Sequence, residues 1–273
     1  MSVLDFFNYK IKPKNTIGFF YIRSMAAPKI RKDISKKLEK LSTDQKQELV
    51  EYLDSFLEDR RRDRLNGVLE NRTTHFCIAM EDLFYERNSG AIIRTADGYG
   101  IQNVHVIEPK ESFKSKVTNI ISKGAEKWVT KTQHDDIKNG AKMCIDELRA
   151  QGYQIVATSP HKDGHTIHNF DISKKSAFFL GTEKTGVSDI VMQEADDYIS
   201  MPIYGFTESY NVSVANAILL HELVNRLRNS DVNWKLSTQE KQDLILDWTL
   251  KSVQSSDLIT QKFITEKGWE ITE

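Results

Sequence analysis

The feature that most constrains this chain is a change of hydrophobic rhythm at about residue 75. From there, short apolar runs alternate with amphipathic stretches of helical period. The runs at His75–Met80, Asn103–Glu108, Tyr153–Thr158, Ala177–Leu180 and Asp197–Met201 read as strands. Helical stretches lie near Ser89–Tyr99, Asp135–Gln151, Ser188–Ala195 and Asn211–Asn229. Strand-helix alternation predicts an α/β fold with a mostly parallel sheet and helices on both faces. Such sheets bind ligands at the carboxyl ends of their strands.

Outside this core the chain reads differently. Residues 29–72 have helical period: Leu49, Val50, Leu53, Phe56 and Leu57 share a face, and Ser42 with Gln45 resembles a capping box. The dense cationic run Arg60-Arg61-Arg62-Asp63-Arg64 reads as the end of that helical stretch, where cations complement the helix dipole. The tail at 231–273 carries an amphipathic stretch that includes Leu244, Ile245, Trp248 and Val253. The expected division is a basic helical extension over 1–59, an α/β domain over 60–230 and a helical tail over 231–273.

A net charge of −1 argues at first against a nucleic-acid partner, but the charge is unevenly spread. Residues 1–37 hold nine Lys/Arg against two acids, a net of +7, while the rest holds 29 bases and 37 acids, a net of −8. Cys77 and Cys144 each sit in an apolar run and form no Cys-x-x-Cys, which predicts buried free thiols and suits the cytoplasm. No apolar run is long enough to span a membrane. His161, His165 and His168 share one polar loop and read as solvated, so no metal is expected.

Familiar nucleotide signatures fail. Gly98-Tyr99-Gly100 lacks the third glycine of a dinucleotide site, since Asn103 stands there. Gly181–Gly186 has Walker-like glycine spacing, but Val187 occupies the position that requires lysine. There is no Gly-x-Ser-x-Gly elbow.

Three polar segments remain, each at a strand-to-helix junction. The first runs from Asn88, read as a helix N-cap, to Arg94, about one and two-thirds turns later. The second is the turn Gly181-Thr-Glu183-Lys-Thr-Gly186, which can present backbone amides to a ligand. The third is Met201-Pro202-Ile203 followed by Ser209-Tyr210-Asn211-Val212-Ser213, where Ser209 or Asn211 caps the next helix. Singly, each also has an ordinary structural reading as a cap or turn.

In their order and spacing these segments closely resemble the three motifs of the SpoU/TrmH branch of the SPOUT RNA ribose 2′-O-methyltransferases. The resemblance covers about residues 60–230. The departures are Met201-Pro202-Ile203 for the usual Ile-Pro-Met and Tyr210 for the usual leucine. The arginine-rich lead and the Glu-Lys-Thr-Gly variant resemble the members that methylate guanosine 18 of tRNA.

The resemblance implies a trefoil knot in the C-terminal part of the α/β domain, a homodimer, S-adenosylmethionine as cofactor and tRNA as partner. It implies Arg94 at the reaction centre, as proton acceptor or as phosphate clamp, supported by Asn88, Glu183, Ser209 and Asn211. The cofactor would lie among Thr158, Leu180, Gly181, Gly186, Met201, Ile203, Tyr210 and Val212. RNA would be gripped by Arg60, Arg61, Arg62, Arg64 and Arg72. Other tRNA positions, ribosomal RNA, or RNA binding without catalysis are the competing readings.

Overall fold

The computed structural model describes residues 38–81, 83, 86–108, 121–136, 138–159 and 164–269. The basic segment 1–37 and His161 lie outside them. The central element is a seven-stranded sheet: β1 Phe76–Glu81, β2 Asn103–Ile107, β3 Thr130–His134, β4 Gln154–Thr158, β5 His165–Thr166, β6 Ser176–Leu180 and β7 Asp197–Ser200. Its order is β3-β2-β1-β6-β4-β7-β5, and every strand pair in it is parallel.

The helices of the sheet domain are α3 Glu86–Tyr99, α4 Gly140–Ala150, α5 Asp189–Glu194 and α6 Val212–Arg228. They follow α1 Thr43–Asp54 and α2 Asp59–Leu69, and precede α7 Thr238–Ser252 and α8 Ser256–Glu266. Strand side chains alternate between two apolar layers. Phe76, Ile78, Met80, Val104, Val106 and Phe178 pack with Ile92, Ile93, Leu219 and Leu223 of α3 and α6. Cys77, Ala79, Ile155 and Phe179 pack with Cys144, Ile145, Leu148 and Val191 of α4 and α5. The sheet is therefore covered on both faces, as the near-continuous apolar strands require. Both cysteines are free and buried.

Two strands were not legible. β3 reads Thr-Lys-Thr-Gln-His, a polar run that hydrogen-bonds β2 on one side, so little of it is buried. β5 is only two residues long.

The helical stretch before the sheet is broken at 55–58, and this reverses the reading of the arginine run. Arg60–Arg64 opens α2 instead of closing a helix, with Asp59 as the acid in its first turn. Cations there oppose the helix dipole. Leu65 and Leu69 of α2 pack with Leu236, Leu244 and Trp248. Leu49, Val50 and Leu53 of α1 pack with Leu246 of α7 and Phe263 of α8. Segments before and after the sheet domain thus share two apolar clusters. The Ser42/Gln45 capping box forms as expected, and Ser237/Glu240 forms another on α7.

Candidate active site

β6, β4 and β7 are neighbours in the sheet, so the loops leaving their carboxyl ends converge. They enclose a cavity of about 420 Å³. All eight residues expected around a cofactor line it: Thr158, Leu180, Gly181, Gly186, Met201, Ile203, Tyr210 and Val212. Glu183 and Ser209 line it too, as do Ser159, Asp189 and Glu208, which sequence reasoning missed. Asp189 follows the Ser188 cap of α5, and Glu208 precedes Ser209; nothing in either local pattern pointed to a pocket.

The Gly181–Gly186 turn is shaped by backbone pairing. The Thr182 N–H donates to Gly186 O at 3.0 Å, and the Gly186 N–H donates back to Thr182 O at 2.9 Å. Gly186 has φ +71°, a left-handed conformation that favours glycine. A Cβ on Gly181 would overlap the Gly186 and Val187 backbone. Tyr210 is held across the cavity wall by its hydroxyl, which donates to Pro202 O at 3.2 Å.

Beside the cavity, Asn88, Glu183 and Asn211 form one hydrogen-bonded group. Asn211 Nδ2 donates to Glu183 Oε1 at 2.5 Å and to Asn88 Oδ1 at 3.2 Å. Asn88 Nδ2 donates to the same Glu183 oxygen at 3.2 Å. Asn211 Oδ1 caps α6 by accepting from the N–H groups of Ser213 at 3.0 Å and Val214 at 3.3 Å. Of the two expected candidates, Asn211 is the cap. Asn88 is not an N-cap, because α3 begins at Glu86 and the Asn88 amide is committed to Glu183 and Asn211. Glu183 holds the two asparagines and not Arg94. Arg94 is exposed, with no hydrogen-bond or ion-pair partner among the described residues. It lies outside the lining of the cavity.

A family profile described as the SpoU rRNA Methylase family matches residues 75–221. The chain belongs to that family. Within it, the chain is 38% identical over 210 residues to the tRNA (guanosine(18)-2′-O)-methyltransferase of Borreliella burgdorferi, covering 77% of this chain and 94% of that one. The crystal structure of the Aquifex aeolicus TrmH/SpoU tRNA modifying enzyme superposes with a TM-score of 0.63 at 31% identity, over 72% of this chain and 98% of that one. The fold is also that of the SpoU methyltransferase AviRb from Streptomyces viridochromogenes, solved in complex with AdoMet. That match has a TM-score of 0.51 at 22% identity, over 60% of this chain and 62% of AviRb.

The expected RNA contacts of this SpoU chain divide three ways. Arg60 and Arg64 are exposed and unpaired among the described residues. Arg61 lies 4.8 Å from the Trp128 ring centroid and donates to Ser252 Oγ, while Arg62 donates to Asp59 at 3.0 Å and to Asp54 O at 3.1 Å. Arg72 is a correction: its side chain is 1% exposed, so it cannot reach a phosphate. It is ion-paired with Asp97, donates to Ile101 O at 3.3 Å, and lies 5.2 Å from the Trp248 ring centroid. Burial pulls its guanidinium below the usual range, and Asp97 opposes that shift.

A groove of about 690 Å³ runs between α2 and the end of α6, lined by Arg64, Asn71, Tyr99 and Arg228 among others. Arg228 was not anticipated. It donates to Asn71 O at 2.8 Å and lies 4.7 Å from the Trp234 ring centroid, with no carboxylate partner among the described residues. No helix among the described residues is long and apolar enough to cross a membrane.

Proposed function

We propose that this protein methylates a ribose 2′-hydroxyl of tRNA, at guanosine 18, using S-adenosylmethionine. The observation that carries this reading is the Asn88–Glu183–Asn211 group, which ties all three family motifs together at the rim of the cavity. Support for the substrate comes from the relatives named for guanosine 18. The cavity fits the cofactor chemically. Leu180, Met201, Ile203 and Val212 supply an apolar wall, and Glu183, Asp189 and Glu208 outnumber the single ammonium of Lys184 on the lining. An excess of carboxylates suits a ligand that carries positive charge.

S-adenosylmethionine supplies a methyl group on a positively charged sulfur. The protein must then orient the ribose, because positioning is the part of such a transfer that side chains control. The Glu183 carboxylate locks Asn88 and Asn211, and through them fixes where α3 starts relative to α6. Arg94 lies on α3 six residues beyond Asn88. With no partner among the described residues, its five N–H donors are available to substrate, which favours the clamp role over the proton-acceptor role.

The tRNA is gripped by Arg60 and Arg64 and by the groove that Arg64 shares with Arg228. Placing cations at the start of α2 costs helix stability, so their use lies outside the helix. The chain works as a homodimer, with a knotted C-terminal part. Support for the dimer comes from Tyr204, Phe206 and Val214, large apolar residues exposed beside the cavity. A cytoplasmic location follows from a tRNA substrate.

Purified protein with labelled cofactor and tRNA tests this directly. Label at the ribose of guanosine 18 is expected; labelling confined to ribosomal RNA rejects it. Arg94→Ala is expected to abolish transfer while leaving cofactor affinity intact, and near-normal turnover in that variant would overturn the assignment of Arg94.

A further inference from the structure

Away from the cavity, a second cluster of side chains is buried between the sheet and α4. His105 of β2, His134 at the end of β3 and Cys144 of α4 are 2%, 6% and 0% exposed. None lines the cavity or the groove. Each offers one possible ligand atom, and these atoms lie within 4.8 Å of one another. His105 Nδ1 and His134 Nε2 are 2.9 Å apart, with the two rings nearly parallel at 12°. Glu147, almost one turn beyond Cys144 on the same helix, places Oε2 3.9 Å from His134 Nε2 and is partly open to solvent.

We infer that His105, His134 and Cys144 are the buried ligands of a zinc ion, with Glu147 closing the fourth position from the solvent side. Two imidazoles, one thiolate and one carboxylate form a donor set that zinc accepts in tetrahedral geometry. Zinc–nitrogen bonds of about 2.0–2.1 Å at tetrahedral angles put the two nitrogens about 3.3 Å apart. The two nitrogens now face each other along one hydrogen bond in nearly coplanar rings. Both rings must therefore tilt, as well as part by a few tenths of an ångström, for their lone pairs to converge on one ion, while the Cys144 sulfur closes on them. On binding, the Cys144 thiol proton leaves to solvent. The imidazole that donates in the His105–His134 bond changes tautomer to offer its lone pair.

The three buried ligands come from β2, β3 and α4, so no Cys-x-x-Cys or His-x₃-His spacing announces the site. Its position gives it a purpose. β3 is a polar edge strand with little apolar burial of its own. An ion at this point staples β3 and β2 to α4, and the site is structural.

The test uses the untagged full-length protein, stripped with a chelator and titrated with Zn²⁺ against a competing chromogenic chelator. One zinc per chain is expected, and Co²⁺ in its place is expected to show thiolate-to-cobalt charge-transfer absorption. Cys144→Ser should remove that absorption and weaken zinc binding by more than the about 10–100-fold that loss of a supporting partner costs. Glu147→Gln, on the surface, should weaken binding less while leaving the circular dichroism spectrum unchanged. Failure to bind zinc stoichiometrically, or cobalt binding without the thiolate absorption, overturns the assignment.

Discussion

The two ends of the Asn211 side chain serve different purposes, and two substitutions separate them. Its Oδ1 caps α6 through the N–H groups of Ser213 and Val214, while its Nδ2 donates to Glu183 and Asn88. Asn211→Ala removes both. Losing the cap costs about 1 kcal/mol, and freeing the exposed Glu183 carboxylate adds little. For a chain of this size that lowers the melting temperature by about 2–4 °C. Asn211→Asp keeps the cap and gains about 0.3–1 kcal/mol from a carboxylate at the helix N-terminus. It also sets that carboxylate against Glu183, a repulsion of about 1 kcal/mol at 4 Å under water-like screening. The two effects nearly cancel, so the aspartate variant should melt close to the parent protein. Both variants should nevertheless lose methyl transfer, because neither keeps the donor that ties Glu183 to α6, and Asn88 alone holds Glu183 only to α3. Thermal unfolding and single-turnover transfer of labelled methyl to a tRNA transcript measure the two effects separately. An aspartate variant with more than about half the parent rate would refute the positioning role of the Nδ2–Glu183 bond. An alanine variant that melts with the parent would refute the cap.

Three further outcomes follow from the geometry. Arg72→Ala should cost about 3 kcal/mol, the low end for breaking a buried pair because Asp97 is 30% exposed, and should leave the salt dependence of tRNA binding unchanged. Arg64→Ala should do the reverse: it should not lower the melting temperature, since a cation early in α2 opposes the helix dipole, and it should lower the slope of log affinity against log salt by about 0.7–0.9, one phosphate contact. Gly181→Ala should weaken binding of S-adenosylhomocysteine at least about tenfold, or 1.4 kcal/mol, measured by titration calorimetry. The added methyl overlaps the Gly186 and Val187 backbone and forces open the Thr182–Gly186 pairing that shapes the cavity wall.

The parallel α/β core was legible because its strands are apolar on both faces and its helices carry one apolar stripe. The eight cofactor candidates rest on the family resemblance, and they meet at one cavity because β6, β4 and β7 are adjacent in the sheet. β3 escaped notice because an edge strand that buries little needs no apolar pattern. Asn88 was misread as a cap because the local sequence shows an asparagine near a helix start but not the distant carboxylate that claims its amide.

The amino-acid sequence by itself determined the fold class, the family and which short segments meet at the cavity, since period, turn residues and motif spacing are local properties. Tertiary structure decided which charges are available. Arg60, Arg61, Arg62, Arg64 and Arg72 look alike as letters. The fold buries Arg72 against Asp97, commits Arg61 and Arg62 to neighbouring side chains, and leaves Arg60 and Arg64 unpaired among the described residues. It also brought Arg228, more than 150 residues along the chain, to the groove that Arg64 lines, and gathered His105, His134 and Cys144 from three elements. Those outcomes depend on which surfaces the packing of helix on sheet happens to cover, and residues far apart in the chain set that packing.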